Sequence, residues 1–254
     1  MNIEKLMGMP PLASESGRGV DDLMIWIHVV MVALFVGWLA YFAYVLFRFR
    51  QARHPKADYR GVRTHASNYI EGAVALVEGV LLIGLALPIW AAAVEKFPKL
   101  EDSVVVKVSG QQFAWNVLYP NTEGKFPTQK LEWVRSDNPF GVDDMEMKTN
   151  GCFTTLNEIH VVKDKPVILQ ITSKDVIHSF KVLPLRLTQD AIPGMSIPIH
   201  FVPTQTGVFQ VMCAQLCGNG HSAMTGGRLY VDTPEQYAEW IKSKAGSGGG
   251  GGYE

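Results

Sequence analysis

One short segment near the C-terminal end of the chain carries four side chains that bind soft metals. The twelve residues from Cys213 to Met224 read Cys-Ala-Gln-Leu-Cys-Gly-Asn-Gly-His-Ser-Ala-Met and contain two thiols, one imidazole and one thioether. These donors select soft or borderline metals, with copper and zinc as the leading candidates. An oxidising compartment would also permit a Cys213–Cys217 disulfide, but the neighbouring His221 and Met224 favour a metal site.

A further ligand is expected from another part of the chain. His178, in the segment Asp-Val-Ile-His-Ser-Phe, is the natural candidate because it starts a predicted strand after a polar turn. A blue mononuclear copper site needs one Cys, two His and a weak axial Met, so two cysteines exceed that requirement. A structural zinc site would not need Met224. Two thiolates that each bridge two coppers fit these residues best.

Net charge and cysteine number argue against two classes of protein, nucleic-acid-binding proteins and small disulfide-stabilised proteins. The chain has 254 residues and a formal net charge of −1, so its charge does not suggest a nucleic-acid partner. Its three cysteines are an odd number with one close pair, which does not resemble a disulfide framework. Cys152 is predicted to be a lone thiol without an assigned role.

Two apolar stretches precede the metal-binding part of the chain. Residues 23–47 form an uncharged run, and residues 72–94 form a second run that only Glu78 interrupts. Each is long enough to cross a bilayer, and the arginine-rich loop between them indicates the cytoplasmic side, with both termini outside. The first run is too long for a signal peptide and precedes a basic cluster, so we expect a retained anchor.

Two acidic residues mark the second span. Glu71 lies near its cytoplasmic start, and Glu78 lies two turns deeper on the same face. A carboxylate within a bilayer is costly and usually faces protein or water. Such a group can lead protons into a partner subunit or hold the helix to a neighbouring helix, and the spacing alone favours neither interpretation.

Beyond Pro98, short β-branched runs separated by turn residues predict an all-β sandwich or barrel. A closing amphipathic helix is predicted over residues 234–242, with Thr233 as its N-cap. The predicted organisation is a transmembrane hairpin (1–98), a β-rich domain (99–243) and a disordered Gly/Ser-rich tail (244–254). The polar stretch 121–155 is predicted to be a long loop or added hairpin. The predicted strands are 104–108, 159–162, 167–172, 197–202, 208–212 and 228–231.

These features together resemble subunit II of the haem–copper oxidases, the cytochrome c oxidase family. The motif C-x-x-x-C-x-x-x-H-x-x-M with the upstream segment V-I-H-S-F carries the resemblance, which extends over the helical hairpin, the β-domain and the closing segment. It implies a membrane-anchored all-β protein, in which a two-helix transmembrane hairpin is followed by a cupredoxin-like β-sandwich or barrel. It also implies a dinuclear, mixed-valence copper centre, copper A.

The resemblance assigns two bridging thiolates, two terminal imidazoles and two weak axial ligands to that centre. In this order they are Cys213, Cys217, His178, His221, Met224 and the backbone carbonyl of Gln215. We also expect the apolar side chains of Leu216 and Phe180 to keep the centre dry and tune its potential.

The aromatic segment Gln-Phe-Ala-Trp-Asn-Val-Leu-Tyr, residues 112–119, resembles the family's aromatic stretch over the copper site. Its first aromatic residue is usually a tryptophan that accepts the incoming electron. Phe113 holds that position here and Trp115 follows, so both are candidates for this role. Tyr119 is expected to pack in the core. Glu71 matches the glutamate at the mouth of one proton channel.

Positions 195 and 215 also depart from the family pattern. The segment Asp-Ala-Ile-Pro-Gly, residues 190–194, resembles a contact with subunit I near the haem propionates, but Met195 follows it where the family usually has Arg. Gln215 stands where the family usually has Glu, whose carboxylate helps hold a magnesium ion at the interface with subunit I, so that ion is left open. No Cys-x-x-Cys-His occurs, and haems are expected in the partner subunit only.

The resemblance implies an enzyme subunit that accepts electrons from cytochrome c or a similar periplasmic donor. It passes them to subunit I, where oxygen is reduced to water and protons are pumped; this chain alone would not reduce oxygen. The alternatives are the copper A subunit of a nitric oxide reductase and a non-catalytic, membrane-anchored copper-binding protein. The expected partners are subunit I, the other oxidase subunits and the electron donor. The expected location is a bacterial plasma membrane, with the termini and the copper domain on the periplasmic side.

Overall fold

The computed structural model describes residues 3–57, 59–61 and 63–245. These residues divide into two compact units. A helical unit contains residues 3–8 and Gly19–Ala92, and a β-rich unit contains Met9–Arg18 and residues 93–245. The predicted tail lies outside the described residues from position 246 onward.

The helical unit contains two long apolar helices. A short helix α1 (Ile3–Leu6) precedes α2 (Gly17–Arg48). The second long helix, Ala66–Glu95, consists of α3 (Ala66–Gly79), a π-helical segment (Val80–Ala86) and α4 (Leu87–Glu95). Both long helices contain a predicted span, 23–47 and 72–94, and both are long and apolar enough to cross a membrane.

A proline accounts for the π-helical segment. Pro88 has no backbone N–H, and in a regular α-helix its ring would collide with the carbonyl of Gly84. Over Val80–Ala86 the helix is wider, and the N–H of Leu87 donates to the carbonyl of Leu82, five residues earlier. Insertions of this kind re-satisfy backbone groups that a proline would leave unpaired within a membrane.

In the described part of the β-rich unit, ten strands form two five-stranded sheets. One sheet has the strand order β3-β2-β1-β5-β8 and the other has the order β4-β10-β9-β6-β7, once the strands are numbered along the chain. The strands are β1 (Val104–Gln111), β2 (Ala114–Tyr119), β3 (Phe153–Leu156), β4 (Glu158–Val162), β5 (Val167–Ser173), β6 (His178–Val182), β7 (Leu187–Ala191), β8 (Ile197–Phe201), β9 (Gly207–Cys213) and β10 (Gly227–Asp232).

The apolar core lies between the two sheets. Alternate residues of β1 and β5 point into it, so that Val106 and Val108 lie opposite Leu169 and Ile171, and all four are fully buried. Phe180 of β6 belongs to the same core cluster. Two apolar sheet faces buried against each other give a sandwich. The predicted fold class, a two-helix hairpin followed by a cupredoxin-like β-sandwich, is confirmed.

All predicted strands are present, and most end within one residue of the predicted limits. β1 is the exception, since it continues three residues beyond the predicted end at Val108. Three further strands, β2, β3 and β7, were not predicted, and β3 begins inside the stretch 121–155 that was predicted to be a long loop or added hairpin. β3 and β7 lie at the edge of a sheet, where polar residues are tolerated, so neither has the apolar pattern of a central strand.

A short helix α5 (Asp144–Thr149) precedes β3. The closing helix α6 (Pro234–Ala245) has the predicted N-cap. The hydroxyl of Thr233 accepts the N–H of Gln236 at 3.3 Å, and the side chain of Gln236 accepts the N–H of Thr233 at 3.0 Å. This reciprocal pair is a capping box. The helix continues to Ala245, so residues 244 and 245, which the composition places in the tail, are helical.

A histidine between two aromatic rings connects α6 to the second sheet. The ring of His160 stacks on Trp240 of α6, with centroids 4.0 Å apart, and on Tyr230 of β10 at 4.3 Å. Its Nδ1 lies 2.6 Å from a carboxylate oxygen of Asp232, and its Nε2 lies 3.1 Å from one of Glu158. Strands β4 and β10 and helix α6 therefore share one stacked, charged cluster.

The segment before the first span is part of the β-rich unit. Ala13 is fully buried in its core, and the N–H of Ala13 donates to the carbonyl of Pro184 at 2.8 Å. The buried hydroxyl of Ser14 donates to the carbonyl of Leu185 at 2.7 Å. The pattern predicts a hairpin over residues 1–98, but Met9–Arg18 clusters with the sandwich, because extended segments with proline show no periodic signal.

Replacing Ser14 with alanine tests this attachment. The variant S14A leaves the carbonyl of Leu185 without its buried donor and is expected to lower the free energy of unfolding of the β-rich unit by about 1–3 kcal/mol. Urea denaturation of the full chain in detergent, followed by tryptophan fluorescence, measures the change. Ser243→Ala removes an exposed hydroxyl of α6 and is the matched control. Equal midpoints for the two variants would contradict the attachment.

The cluster around His160 predicts a pH-dependent contribution to stability. Burial tends to raise the pKa of Glu158, but hydrogen bonds and charge from Lys244, with smaller contributions from His160 and Trp240, outweigh it and lower the pKa. A carboxyl group with a lowered folded-state pKa stabilises the protein above its unfolded pKa, and this stabilisation is lost as the pH falls through the folded value.

The variant E158Q is therefore expected to be less stable than the native chain at neutral pH. It should also lose less stability on acidification through the carboxyl range, as measured by urea midpoints at several pH values. Glu239→Gln, an exposed change on α6, should follow the native profile. An E158Q profile parallel to the native one would rule out this contribution.

Candidate metal centre

Two neighbouring strands bring the ligand residues together. His178 is the first residue of β6 and Cys213 is the last residue of β9. The strands pair antiparallel, with Phe180 opposite Cys213. The loop after Cys213 carries the remaining candidate ligands and passes through a 3₁₀ helix, His221–Gly226, to β10. The scaffold therefore holds this ligand loop (residues 214–226) at both ends.

The donor atoms lie within a small volume. One donor atom from each of His178, Cys213 and Cys217 lies within 4.8 Å of the other two. The Sγ of Cys217 is 3.4 Å from Nδ1 of His221 and 3.5 Å from Sδ of Met224. His178, both cysteines and Met224 are buried, whereas His221 is partly exposed.

Each sulfur has one imidazole and one weak donor beside it. The Sγ of Cys213 is 4.0 Å from Nδ1 of His178 and 3.0 Å from the carbonyl oxygen of Gln215. Cys217 has the corresponding neighbours in His221 and Met224. The structure thus gathers all six groups that the sequence predicts as ligands, in two matching sets around the two sulfurs.

A carboxylate orients His178. Oδ1 of Asp175 lies 2.8 Å from Nε2 of His178. When Nε2 donates to this carboxylate, the other ring nitrogen, Nδ1, carries a lone pair and faces the sulfur of Cys213. Burial tends to raise the pKa of Asp175, but hydrogen bonds from the backbone N–H of Gln112 and from His178 outweigh it and lower the pKa.

The opposite side of the His178 ring is closely packed. A Cβ at Gly110 of β1 would lie 2.7 Å from Cδ2 of His178, so only glycine fits there without displacement. Trp115 is fully buried beside His178 and Phe180, with ring centroids 6.0 and 5.2 Å away. Its indole N–H donates to the carbonyl of Met224 at 3.3 Å. These contacts exclude water from the core side of the site.

The two-residue turn between β1 and β2, Gln112 and Phe113, packs against the ligand loop. The side-chain amide of Gln112 donates to the carbonyl of Cys217 at 2.6 Å. The ring of Phe113 covers two glycines of the loop, and a Cβ at Gly220 would be only 2.3 Å from it. Gly218 has a φ of 139° and faces both turn residues. Turn and loop can approach this closely because both glycines lack side chains.

The residues present fit a copper centre. Burial and the neighbouring Cys213 raise the pKa of the Cys217 thiol to about 11. Cation binding between the sulfurs would favour thiolates and release protons. Two sulfurs, two imidazole nitrogens, a thioether and a carbonyl oxygen, largely shielded from water, match the preferences of copper among the biological metals.

Of the two apolar side chains that we expected to shield the centre from water, only Phe180 does so. Phe180 is fully buried beside Cys213, as predicted, but the side chain of Leu216 is 79% exposed. The prediction that Leu216 keeps the centre dry is therefore wrong. Leu216 lies in the ligand loop between two buried cysteines, where the backbone turns and the apolar character of one residue does not determine its direction.

The other predicted site residues lie in different environments. Trp115 is fully buried, whereas Phe113 is partly exposed at the turn. Tyr119 is buried in the core, as expected. Glu71 lies on α3 of the helical unit with an exposed side chain, as does Glu78.

Three residues around the site carry no predicted role. Asp175 lies three residues before His178, which is a recognisable spacing for a carboxylate that orients a ligand. Gln112 gives no such signal, since its partner is a backbone carbonyl 105 positions away. The requirement for glycine at position 110 depends on how the two sheets pack against each other and cannot be read from the local sequence.

Comparisons with known proteins agree with these features. Residues 104–226 match the family described as cytochrome c oxidase subunit II, periplasmic domain. The chain is 26% identical over 235 residues to the alternative cytochrome c oxidase subunit 2 of Bradyrhizobium diazoefficiens, covering 92% of this chain and 83% of that protein. It is 42% identical over 166 residues to the probable cytochrome c oxidase subunit 2 of Streptomyces avermitilis, covering 58% and 51%.

Among solved structures, it is similar to the periplasmic domain of subunit II of cytochrome oxidase from Bradyrhizobium japonicum. The match has 28% identity and a TM-score of 0.44, and it covers 60% of this chain and 99% of that one.

The family match spans the sandwich and the ligand loop, and the Bradyrhizobium diazoefficiens alignment spans nearly the whole chain. With the ligand motif and the two apolar helices, these matches support a subunit II identity for this chain within the haem–copper oxidases.

Proposed function

We propose that this chain is the electron-accepting subunit of a terminal haem–copper oxidase. It takes electrons from cytochrome c or a similar periplasmic donor and passes them to the haem centres of subunit I, where oxygen reduction is coupled to proton pumping. The observation that carries the proposal is the pair of buried sulfurs, each with an imidazole nitrogen and a weak donor beside it. A pair of copper ions bound there supplies one-electron redox chemistry.

The chain's own residues make the site rigid. The paired strands β6 and β9 fix His178 and Cys213, and Asp175 orients the imidazole. Trp115 and Phe180 fill the space behind the ligands and exclude water. A site whose ligands are held by packing and hydrogen bonds changes little between charge states, which suits rapid electron transfer with a small driving force.

The surroundings suggest one surface for the donor and another for the partner subunit. Phe113 is partly exposed and lies against Gly220, next to His221, so its ring can meet a docked donor. Trp115 is buried and can serve only as an inner contact. On the neighbouring strand, Ala191 is paired with His178, which connects the ligand strand directly to the segment 190–194, the proposed contact with subunit I.

The proposed orientation follows the positive-inside rule. The loop between the two long helices carries arginines and is assigned to the cytoplasm, which places the β-rich unit on the periplasmic side of a bacterial plasma membrane. Glu71, near the cytoplasmic start of α3, is proposed to lie on a proton path into subunit I. Gln215 offers no carboxylate, so no interface magnesium ion is included.

Copper loading tests the central proposal. The full chain in detergent is the appropriate sample, since Met9–Arg18 belongs to the β-rich unit and a fragment beginning near Ser103 would lack it. We expect two coppers per chain and a seven-line hyperfine pattern in the EPR spectrum, from one electron shared equally by both nuclei. A four-line spectrum of a single copper, or binding of zinc alone, would contradict the proposal.

Cysteine variants sharpen that test. Cys217→Ser is expected to abolish the shared-electron spectrum, because only one thiolate remains to join the two ions. Cys152→Ser is the matched control: that thiol is also buried, but its sulfur contacts the carbonyl of Lys125, outside the ligand loop. The control should retain both coppers and the native spectrum. Loss of the spectrum in both variants would indicate general damage to the fold.

Another prediction concerns Glu71. In the assembled oxidase, Glu71→Ala is expected to slow proton-coupled turnover severalfold while copper reduction by the donor remains at its native rate. Oxygen consumption and stopped-flow absorbance measure the two quantities. Glu101→Ala, which removes an exposed carboxylate of the β-rich unit, is the control. Unchanged turnover would assign Glu71 to helix packing.

A further inference from the structure

Gln112 joins the separate parts of the metal centre. We propose that its side-chain amide is a positioning group that holds the ligand loop, and with it Cys217, in register with His178. The inference deepens the proposed function and rests on it. Three hydrogen bonds carry it, between His178 and Asp175, between Asp175 and the backbone of Gln112, and between the side chain of Gln112 and the carbonyl of Cys217.

These contacts connect ligands from different parts of the chain without a metal ion. Nε2 of His178 is 2.8 Å from Oδ1 of Asp175, and the other oxygen of Asp175 accepts the N–H of Gln112 at 2.8 Å. The amide of Gln112 then reaches the carbonyl of Cys217 at 2.6 Å. The residues at the two ends of this series of contacts, His178 and Cys217, are both candidate ligands, so their relative position is set before any cation arrives.

The ligand loop depends on such a contact because its ends are fixed but its middle contains two glycines. At one end, the N–H of Ala214 donates to the carbonyl of Ser179 of β6. Toward the other end, the N–H of His221 donates to the carbonyl of Gly218 within the loop itself. The amide of Gln112 links the middle of the loop to the sandwich. Moving the Cys217 carbonyl would also move its sulfur.

The space around Gln112 fits this role. A Cβ on Gly218 would lie 2.9 Å from the amide nitrogen of Gln112, so the absence of a side chain lets the amide approach the loop backbone. Gln112 is itself exposed to solvent. Its side chain can therefore be changed without opening a cavity in the core, and its backbone bond to Asp175 stays intact.

Three variants of the full chain separate positioning from general stability. Gln112→Leu removes the donor, and Gln112→Glu keeps the shape but places a carboxylate against the Cys217 carbonyl. Gln111→Leu is the matched control, since Gln111 is the neighbouring residue and its side chain contacts Lys174 rather than the ligand loop. Urea midpoints of all three should remain near the native value, because the bond lies at the surface.

The first measurement uses the metal-free chain. Alkylation of the thiols by iodoacetamide is followed residue by residue by tandem mass spectrometry, which separates Cys217 from Cys213 and Cys152. We expect Cys217 to be labelled severalfold faster in both Gln112 variants than in Gln111→Leu. Equal rates in all three variants would overturn the inference, whether or not the native chain binds copper.

The second measurement uses the copper-loaded chain. Outer-shell partners of metal ligands typically contribute 10- to 100-fold in affinity, and we expect the Gln112 variants to bind copper about tenfold more weakly, with altered hyperfine splitting in the EPR spectrum. A native chain without the seven-line spectrum but with faster Cys217 labelling in the variants would refute the copper function and keep the positioning role. Native affinity and splitting in both Gln112 variants would refute the positioning role alone.

Discussion

The antiparallel pairing of β6 and β9 is the constraint on which the site depends. It places Phe180 opposite Cys213, so that His178, two residues earlier on β6, lies beside the end of β9 where the ligand loop begins. A shift of one residue in this register would turn His178 to the other face of the sheet. The sandwich core, which buries Phe180 and Val211, opposes that shift. The same apolar packing that stabilises the fold therefore also fixes the ligand geometry.

Burial of polar donors makes the neighbouring hydrogen bonds essential. Imidazole nitrogens and thiols removed from water carry a desolvation cost unless partners replace it. Asp175 serves His178 in this way, and Trp115 donates to the carbonyl of Met224. Close packing of Gly110 against His178 leaves no room for a different ring position. The site is thus built from the interior outward, and its surface side consists of the turn with Gln112 and the exposed part of the ligand loop.

The parts that the sequence could predict are those with a local signal. The spacing of Cys213, Cys217, His221 and Met224 identifies the ligand loop because all four lie within one short segment, and central strands show their apolar residues directly. Partners that are distant in sequence remained hidden, such as the carbonyl of Cys217 for Gln112. So did edge strands with polar residues and the segment Met9–Arg18, which buries Ala13 and Ser14, because their positions depend on tertiary pairing and not on local pattern.

A departure from the family pattern leaves the proposed centre intact where the contact is made by a backbone group or by a ring that is still present. Gln215 offers its backbone carbonyl, 3.0 Å from the sulfur of Cys213, and a backbone group is insensitive to the exchange of Glu for Gln. Phe113 keeps an aromatic ring against Gly220, so contact with the loop survives although the indole is absent. Met195 is different, because its side chain is 52% exposed and lacks the charge that Arg would bring to the proposed contact with subunit I. The departures therefore fall on the proposed contacts with partners, while the donor atoms of the proposed centre are all retained.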